Sequence, residues 1–184
     1  MDEPKSRNKD DDKVEREALE KRARGVIGTL LGIILGFTGL SWGIFSYANC
    51  QHYPNVLGLC IYVSIVGSAT AAFMSCLQRV SDGWELADGE QIPKDNGKER
   101  FNAKIAYFLL FRPFLGILIG FIIYFAAFGH VLPFSLAFDC KQPFTCASLY
   151  QLLFMSLVGG FFAKTLLDKL KDIFESLIFG NKKG

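Results

Sequence analysis

Four stretches of this 184-residue chain contain no Asp, Glu, Lys or Arg. They cover residues 25–47, 56–77, 113–132 and 147–163 and are 23, 22, 20 and 17 residues long. A helix that crosses a bilayer needs about 20 apolar residues, within a range of roughly 17 to 25. Helices of a soluble bundle keep a polar face, whereas these stretches are apolar all round. The sequence therefore predicts an all-α fold, a bundle of four transmembrane helices.

The basic residues lie almost entirely on one side of these spans. Eight precede residue 25, five lie in 78–104, five follow from Lys164 onward and Arg112 adds one, whereas the two segments on the other side hold only Lys141. Basic residues favour the cytoplasmic side. We therefore expect a multi-pass protein of the cell inner membrane with both termini in the cytoplasm. The net charge of +2 argues against a nucleic-acid partner.

The first uncharged stretch is too long for the roughly 7 to 15 apolar residues of a cleaved signal peptide, so we expect it to be retained as a span. The predicted segments are a cytosolic charged tail and helix (1–24), TM1 (25–47), a periplasmic turn (48–55), TM2 (56–77), a cytosolic loop with an interfacial helix (78–112), TM3 (113–132), a periplasmic loop (133–146), TM4 (147–167) and a cytosolic amphipathic helix (168–184).

The cytosolic segments carry local patterns of their own. Opposite charges four residues apart in 13–24 indicate that TM1 begins as a cytosolic helix. The turn dipeptides Asp82-Gly83, Asp88-Gly89 and Asn96-Gly97 favour a small hairpin that carries Trp84 and Leu86. The predicted interfacial helix presents one apolar face, and Pro113 favours a bend before TM3. The residues of that face are Phe101, Ile105, Phe108 and Leu109.

TM1 carries one glycine at nearly every helical turn, a pattern we call the glycine stripe and which is typical of a glycine zipper. Small residues let helix backbones approach closely in lipid, where there is little hydrophobic gain from pairing apolar helices. One interpretation is packing against small residues of the other spans. We favour an oligomer interface between copies, because the stripe is longer than one helix crossing requires. Its members are Gly25, Gly28, Gly32, Gly36, Gly39 and Gly43.

Two cysteines and two basic residues are further candidate sites. Cys140 and Cys146 flank an outer loop where an oxidising compartment permits a disulfide, and Cys50 is a rival partner. Arg112 and Lys164 lie at the inner ends of spans, where long basic side chains anchor to lipid headgroups. A gating or partner-binding role is the alternative for Arg112.

Catalytic patterns are not found in the sequence. His52 and His130 are the only histidines, and neither has ligands at metal-binding spacing. The chain contains no Cys-x-x-Cys motif, and the centres of the spans hold no ionisable group of the kind that marks a transporter pathway. We therefore expect a protein that is not an enzyme, with no catalytic, cofactor or metal site.

The last third of the chain resembles small bacterial inner-membrane proteins. The resemblance lies in FLLFRPFLGILIGFIIYFAAFGHVLPFSLAF and LLFMSLVGGFFAKTLLDKL, which combine an Arg-Pro-x-Leu-Gly entry to one span with a Gly-Gly centre in the next. Several such proteins, the Kiwa membrane subunit among them, look like membrane components of anti-phage systems. The resemblance implies helix-entry roles for Arg112, Pro113 and Gly116 and a cytosolic partner that senses infection; it implies no catalytic residue.

Together these patterns favour a homo-oligomeric membrane subunit that anchors or signals to a cytosolic protein partner, in bacterial antiviral defence. The alternative function is an ion-conducting, membrane-depolarising pore lined by TM1 or TM3.

Overall fold

The computed structural model describes residues 9–47, 56–86, 91–92, 100–129, 146–169 and 172. This part of the chain forms five helices and one two-stranded hairpin. The helices are α1 (Lys9–Tyr47), α2 (Val56–Asp82), α3 (Ala103–Phe128), α4 (Cys146–Phe161) and α5 (Ala163–Lys169); the strands are β1 (Trp84–Glu85) and β2 (Gln91–Ile92). Three helices are long and apolar enough to cross a membrane, or four if α4 and α5 form one bent span.

Helix α1 is continuous over 39 residues, from the charged segment into the glycine stripe, as the sequence predicted. One of the predicted charge pairs is formed, with Arg24 Nη2 at 2.6 Å from Glu20 Oε1 on an exposed surface. Six glycines would weaken such a helix in water. A lipid environment offers backbone groups no competing partner, so the intrahelical hydrogen bonds persist.

The chain divides into two compact units, which are described separately. Unit 1 comprises Met1–Gly32 and Ala72–Phe111, and unit 2 comprises Ile33–Ala71 and Arg112–Gly184. The core of unit 1 contains the buried residues of α1, which recur every three or four positions, together with residues of α2, the hairpin and α3. Its fully or nearly fully buried members include Leu19, Ala23, Val26, Leu30, Cys76, Leu86, Phe101 and Leu109.

The predicted hairpin is present in unit 1. Strands β1 and β2 pair antiparallel, with Trp84 opposite Ile92. Gly83 leads into β1 with a φ of 121°, a conformation that residues with a Cβ rarely adopt. The Trp84 ring meets the Phe101 ring edge-on, with the ring centroids 5.8 Å apart. The hairpin is thereby fixed to the segment that leads into α3.

The predicted interfacial helix included Phe101, but the helix in the structure starts after this residue. The backbone of Phe101 forms a parallel bridge to β1: its N–H donates to the Gly83 carbonyl at 3.1 Å, and its carbonyl accepts from the Glu85 N–H at 3.0 Å. Helix α3 begins only at Ala103, because Asn102 caps it by accepting a hydrogen bond from the Ile105 N–H at 2.8 Å.

The sequence also predicted a new helix starting at Pro113 with Arg112 outside it, and this helix start is wrong. Helix α3 runs through Pro113 as a single helix. A proline removes one intrahelical donor, and nearby Ser or Thr side chains help membrane helices to tolerate it. The carbonyl that loses its intrahelical donor at Pro113 is that of Leu109. The Ser68 hydroxyl of α2 donates one turn later along α3, to the carbonyl of Arg112 at 2.7 Å. The residues of the predicted apolar face of the interfacial helix do not share one environment, since Phe108 is exposed and Leu109 is buried.

Unit 2 contains the packing of α2, α3 and α4, with a core that includes Cys60, Ile119, Ile123, Leu149 and Leu152. The predicted TM4 is interrupted. Helix α4 ends at Phe161 and α5 follows at an angle of 79°. With 16 residues, α4 is about 24 Å long, shorter than the roughly 30 Å hydrocarbon core. The predicted C-terminal amphipathic helix lies mostly outside the described residues.

We predict that Asn102→Ala lowers the free energy of unfolding by about 1 kcal/mol, because the first turn of α3 loses its cap. Asn102 also donates from Nδ2 to Glu85 Oε2 at 2.9 Å, so the hairpin is loosened as well. The measurement is detergent-based unfolding monitored by circular dichroism. Asn102→Ser, which keeps a capping hydroxyl, serves as the control. An Asn102→Ala variant as stable as the wild type would show that the cap is unimportant.

Candidate functional site

The glycine stripe faces open space along the whole of its length. A methyl group added at any of its six glycines would meet no atom of another element within 4 Å in the described part of the chain. Only 6% of the most apolar stretch of α1 is buried, compared with 56% in α2. The stripe is therefore a smooth surface, about 27 Å long at 1.5 Å per residue, that the described residues of the chain leave uncovered.

Several glycines of α2, α3 and α4 lie in close contact with a neighbouring helix, unlike the glycines of the stripe. An added methyl group at Gly116 of α3 would lie 2.6 Å from the Ser64 carbonyl oxygen, and one at Gly120 would lie 2.7 Å from Ile61 Cα. Gly160 of α4 packs equally closely on the Ser64 carbonyl, and Gly67 of α2 on that of Leu157. Helices α2, α3 and α4 thus touch backbone to backbone. In the described residues, the small residues of these spans pack against one another and not against the stripe.

Buried hydroxyl groups add hydrogen bonds to this packing. Ser64 Oγ donates to the Ser156 carbonyl at 2.8 Å, and Ser156 Oγ donates to the Leu152 carbonyl at 2.9 Å. Such bonds between membrane helices contribute on average about 0.6 kcal/mol each. Because each hydroxyl is committed to a backbone carbonyl, this cluster has a structural role.

The predicted basic anchors lie in different surroundings. Arg112 is half-buried in α3 and Lys164 is exposed in α5. Their anchoring role stays a prediction. The sequence reasoning missed Arg100, which is 1% exposed in unit 1. Arg100 precedes the Phe101 bridge and the Asn102 cap, where no repeating pattern reveals which side chains are buried.

Cys60 and Cys76 of α2 are buried free thiols. The candidate disulfide between Cys140 and Cys146, with Cys50 as the rival partner, lies outside the described side chains. His52 and His130 also fall outside the described residues. Within the described ranges, no three His, Cys, Asp or Glu side chains form a group that could hold a metal ion.

Comparisons of the chain with protein-family models, curated proteins and solved structures find no match. The candidate site therefore rests on geometry. The six stripe glycines of α1 contact no other element in the described residues, whereas the glycines at 67, 116, 120, 159 and 160 lie in close contact with a neighbouring helix.

We predict that Gly116→Ala destabilises the chain by about 1–3 kcal/mol, because the new methyl group overlaps the Ser64 backbone. This overlap outweighs the roughly 1 kcal/mol that alanine gains in helix propensity. The matched control is Gly39→Ala, whose methyl group meets no other element of the described chain. Thermal unfolding in one detergent compares the two variants. Equal unfolding midpoints would contradict the difference between the two glycine environments.

Proposed function

We propose that the protein is a homo-oligomeric integral membrane subunit whose copies meet through the glycine stripe of α1. The observation that carries this proposal is the open stripe: six glycines on one face, none of them in contact with another element in the described part of the chain. Helices in lipid associate through close van der Waals contact, which bare backbone permits. Its length of about 27 Å is close to the roughly 30 Å hydrocarbon thickness, so two stripes fit along one shared interface.

The contrast with the other glycines supports this assignment. The glycines at 67, 116, 120, 159 and 160 all meet a neighbouring helix in the same chain, so this sequence uses glycine where helices touch. By the same logic the stripe glycines face a partner helix, which the described residues of one copy do not supply. Soluble and membrane oligomers are mostly closed and symmetric, and α1 faces around an axis satisfy that rule.

The proposed topology places both chain termini in the cytoplasm of a cell with an inner membrane. The support is the distribution of Lys and Arg, nineteen on one side of the spans and one on the other. In this orientation the charged first turns of α1, the hairpin and α5 face the cytoplasm. These elements are the proposed contacts for a cytosolic protein partner.

The proposed role is to anchor that partner and to signal to it. The resemblance of the last third of the chain to membrane components of anti-phage systems supports a role in bacterial defence. The alternative function is an ion-conducting pore. A closed symmetric arrangement of copies around an axis is compatible with such a pore, lined by α1 or α3.

We predict that Gly32→Leu combined with Gly36→Leu dissociates the oligomer, because two bulky side chains enter the surface where backbones meet. The measurement is the mass of the purified protein in mild detergent. The control is Thr38→Leu, an exposed position about 200° around the helix from Gly36. If the double variant keeps the wild-type mass while it folds normally, the stripe is not the interface.

We predict that affinity purification from mild detergent recovers a stoichiometric cytosolic partner and that liposomes with the purified protein do not conduct ions. These results follow if the protein is an anchor that acts through its cytosolic elements. Conductance without a protein partner would instead establish the pore function. Liposomes that contain the double leucine variant separate protein-dependent conductance from leakage.

A further inference from the structure

An aromatic and basic surface lies on unit 1 at the start of α3. Tyr107 is 59% exposed and Phe111, one turn later on the same face, is 66% exposed. The guanidinium of Arg22 from α1 lies over the Tyr107 ring, 5.6 Å from its centroid. Lys104 is exposed one turn before Tyr107 on α3. Two cations therefore border one exposed tyrosine, and an exposed phenylalanine lies next to it.

Arg22 stands apart from the acid–base pairs of α1. Its neighbours three and four positions away are Ala18, Leu19, Gly25 and Val26, all uncharged. Two carboxylates of unit 1 have other partners, since Glu20 pairs with Arg24 and Glu85 accepts from Asn102. The positive charge of Arg22 is therefore not neutralised along its own helix.

The same residues lie at the depth of lipid headgroups in the proposed membrane arrangement. Arg22 precedes the uncharged stretch of α1 by three residues, and Tyr107 precedes Pro113 by six. Helix α3 has 26 residues, about 39 Å, close to the roughly 40–45 Å thickness of a bilayer with its headgroups. Tyrosine and basic residues are enriched at this level.

We propose that Arg22, Lys104 and Tyr107 bind the headgroup of an anionic phospholipid. The two cations contact the lipid phosphate, the tyrosine ring holds the guanidinium in position, and Phe111 packs along the first part of an acyl chain. Basic surfaces between membrane helices on the cytoplasmic side bind anionic headgroups in this manner. The proposal rests on the membrane location proposed above and is independent of the oligomer.

The test is native mass spectrometry of the full chain in mild detergent, with phosphatidylglycerol and phosphatidylcholine of the same acyl chains as probes. The wild type is expected to bind phosphatidylglycerol more tightly. R22Q/K104Q is expected to lose about fivefold in affinity for each charge removed. The matched control is K13Q/R16Q, which removes two charges from exposed positions elsewhere on α1. It is expected to bind as the wild type does.

Three results would overturn the proposal: no preference of the wild type for phosphatidylglycerol, equal losses in the two double variants, or displacement of the lipid by soluble glycerol 3-phosphate. If R22Q/K104Q does not fold, R22K/K104R keeps both charges and is expected to keep the preference; its loss in a folded protein would also contradict the site. The same spectra give the copy number. A monomer that selects phosphatidylglycerol supports the lipid site and contradicts the oligomer.

Discussion

The packing of unit 2 depends on the close approach of backbones at one residue, Ser64. Gly116 of α3 and Gly160 of α4 both lie against its main chain, and its hydroxyl donates to the Ser156 carbonyl of α4. Apolar side chains gain little by leaving lipid for one another, so this contact, and not hydrophobic burial, holds the three helices together. Any side chain larger than hydrogen at these two positions would separate α3 or α4 from α2.

Glycine also recurs along α1, where its surroundings differ from those in unit 2. There the glycines form an equally regular face, but in the described part of the chain they contact no other element. This contrast between the described glycines of α1 and those of unit 2 supports the proposal that copies meet through the stripe. In the proposed arrangement, the charged residues of α1 and the exposed aromatic residues of α3 lie at the membrane surface.

Much of this architecture could be predicted from the sequence, because uncharged stretches of about 20 residues and opposite charges four apart are strong, local signals. The continuous α1 and the hairpin at Trp84 are examples. The path through Pro113 could not be predicted, because it depends on packing against α2, which also brings Ser68 to the turn that holds the proline. The bend after Phe161 and the burial of Arg100 likewise depend on packing. The stripe was evident from its spacing, but only coordinates distinguish glycines that touch a neighbour from glycines that do not.

The most direct measurement is disulfide scanning along α1 in native membranes, with single cysteines introduced into a cysteine-free variant from Gly25 to Gly43. Contact between copies predicts cross-linked dimers that peak at the stripe positions, Gly28, Gly32, Gly36 and Gly39, and that fall to background at Ile34, Thr38 and Ser41 on the opposite face of the helix. Cross-links that peak on this opposite face, or that are absent all along the helix, would contradict the proposed interface.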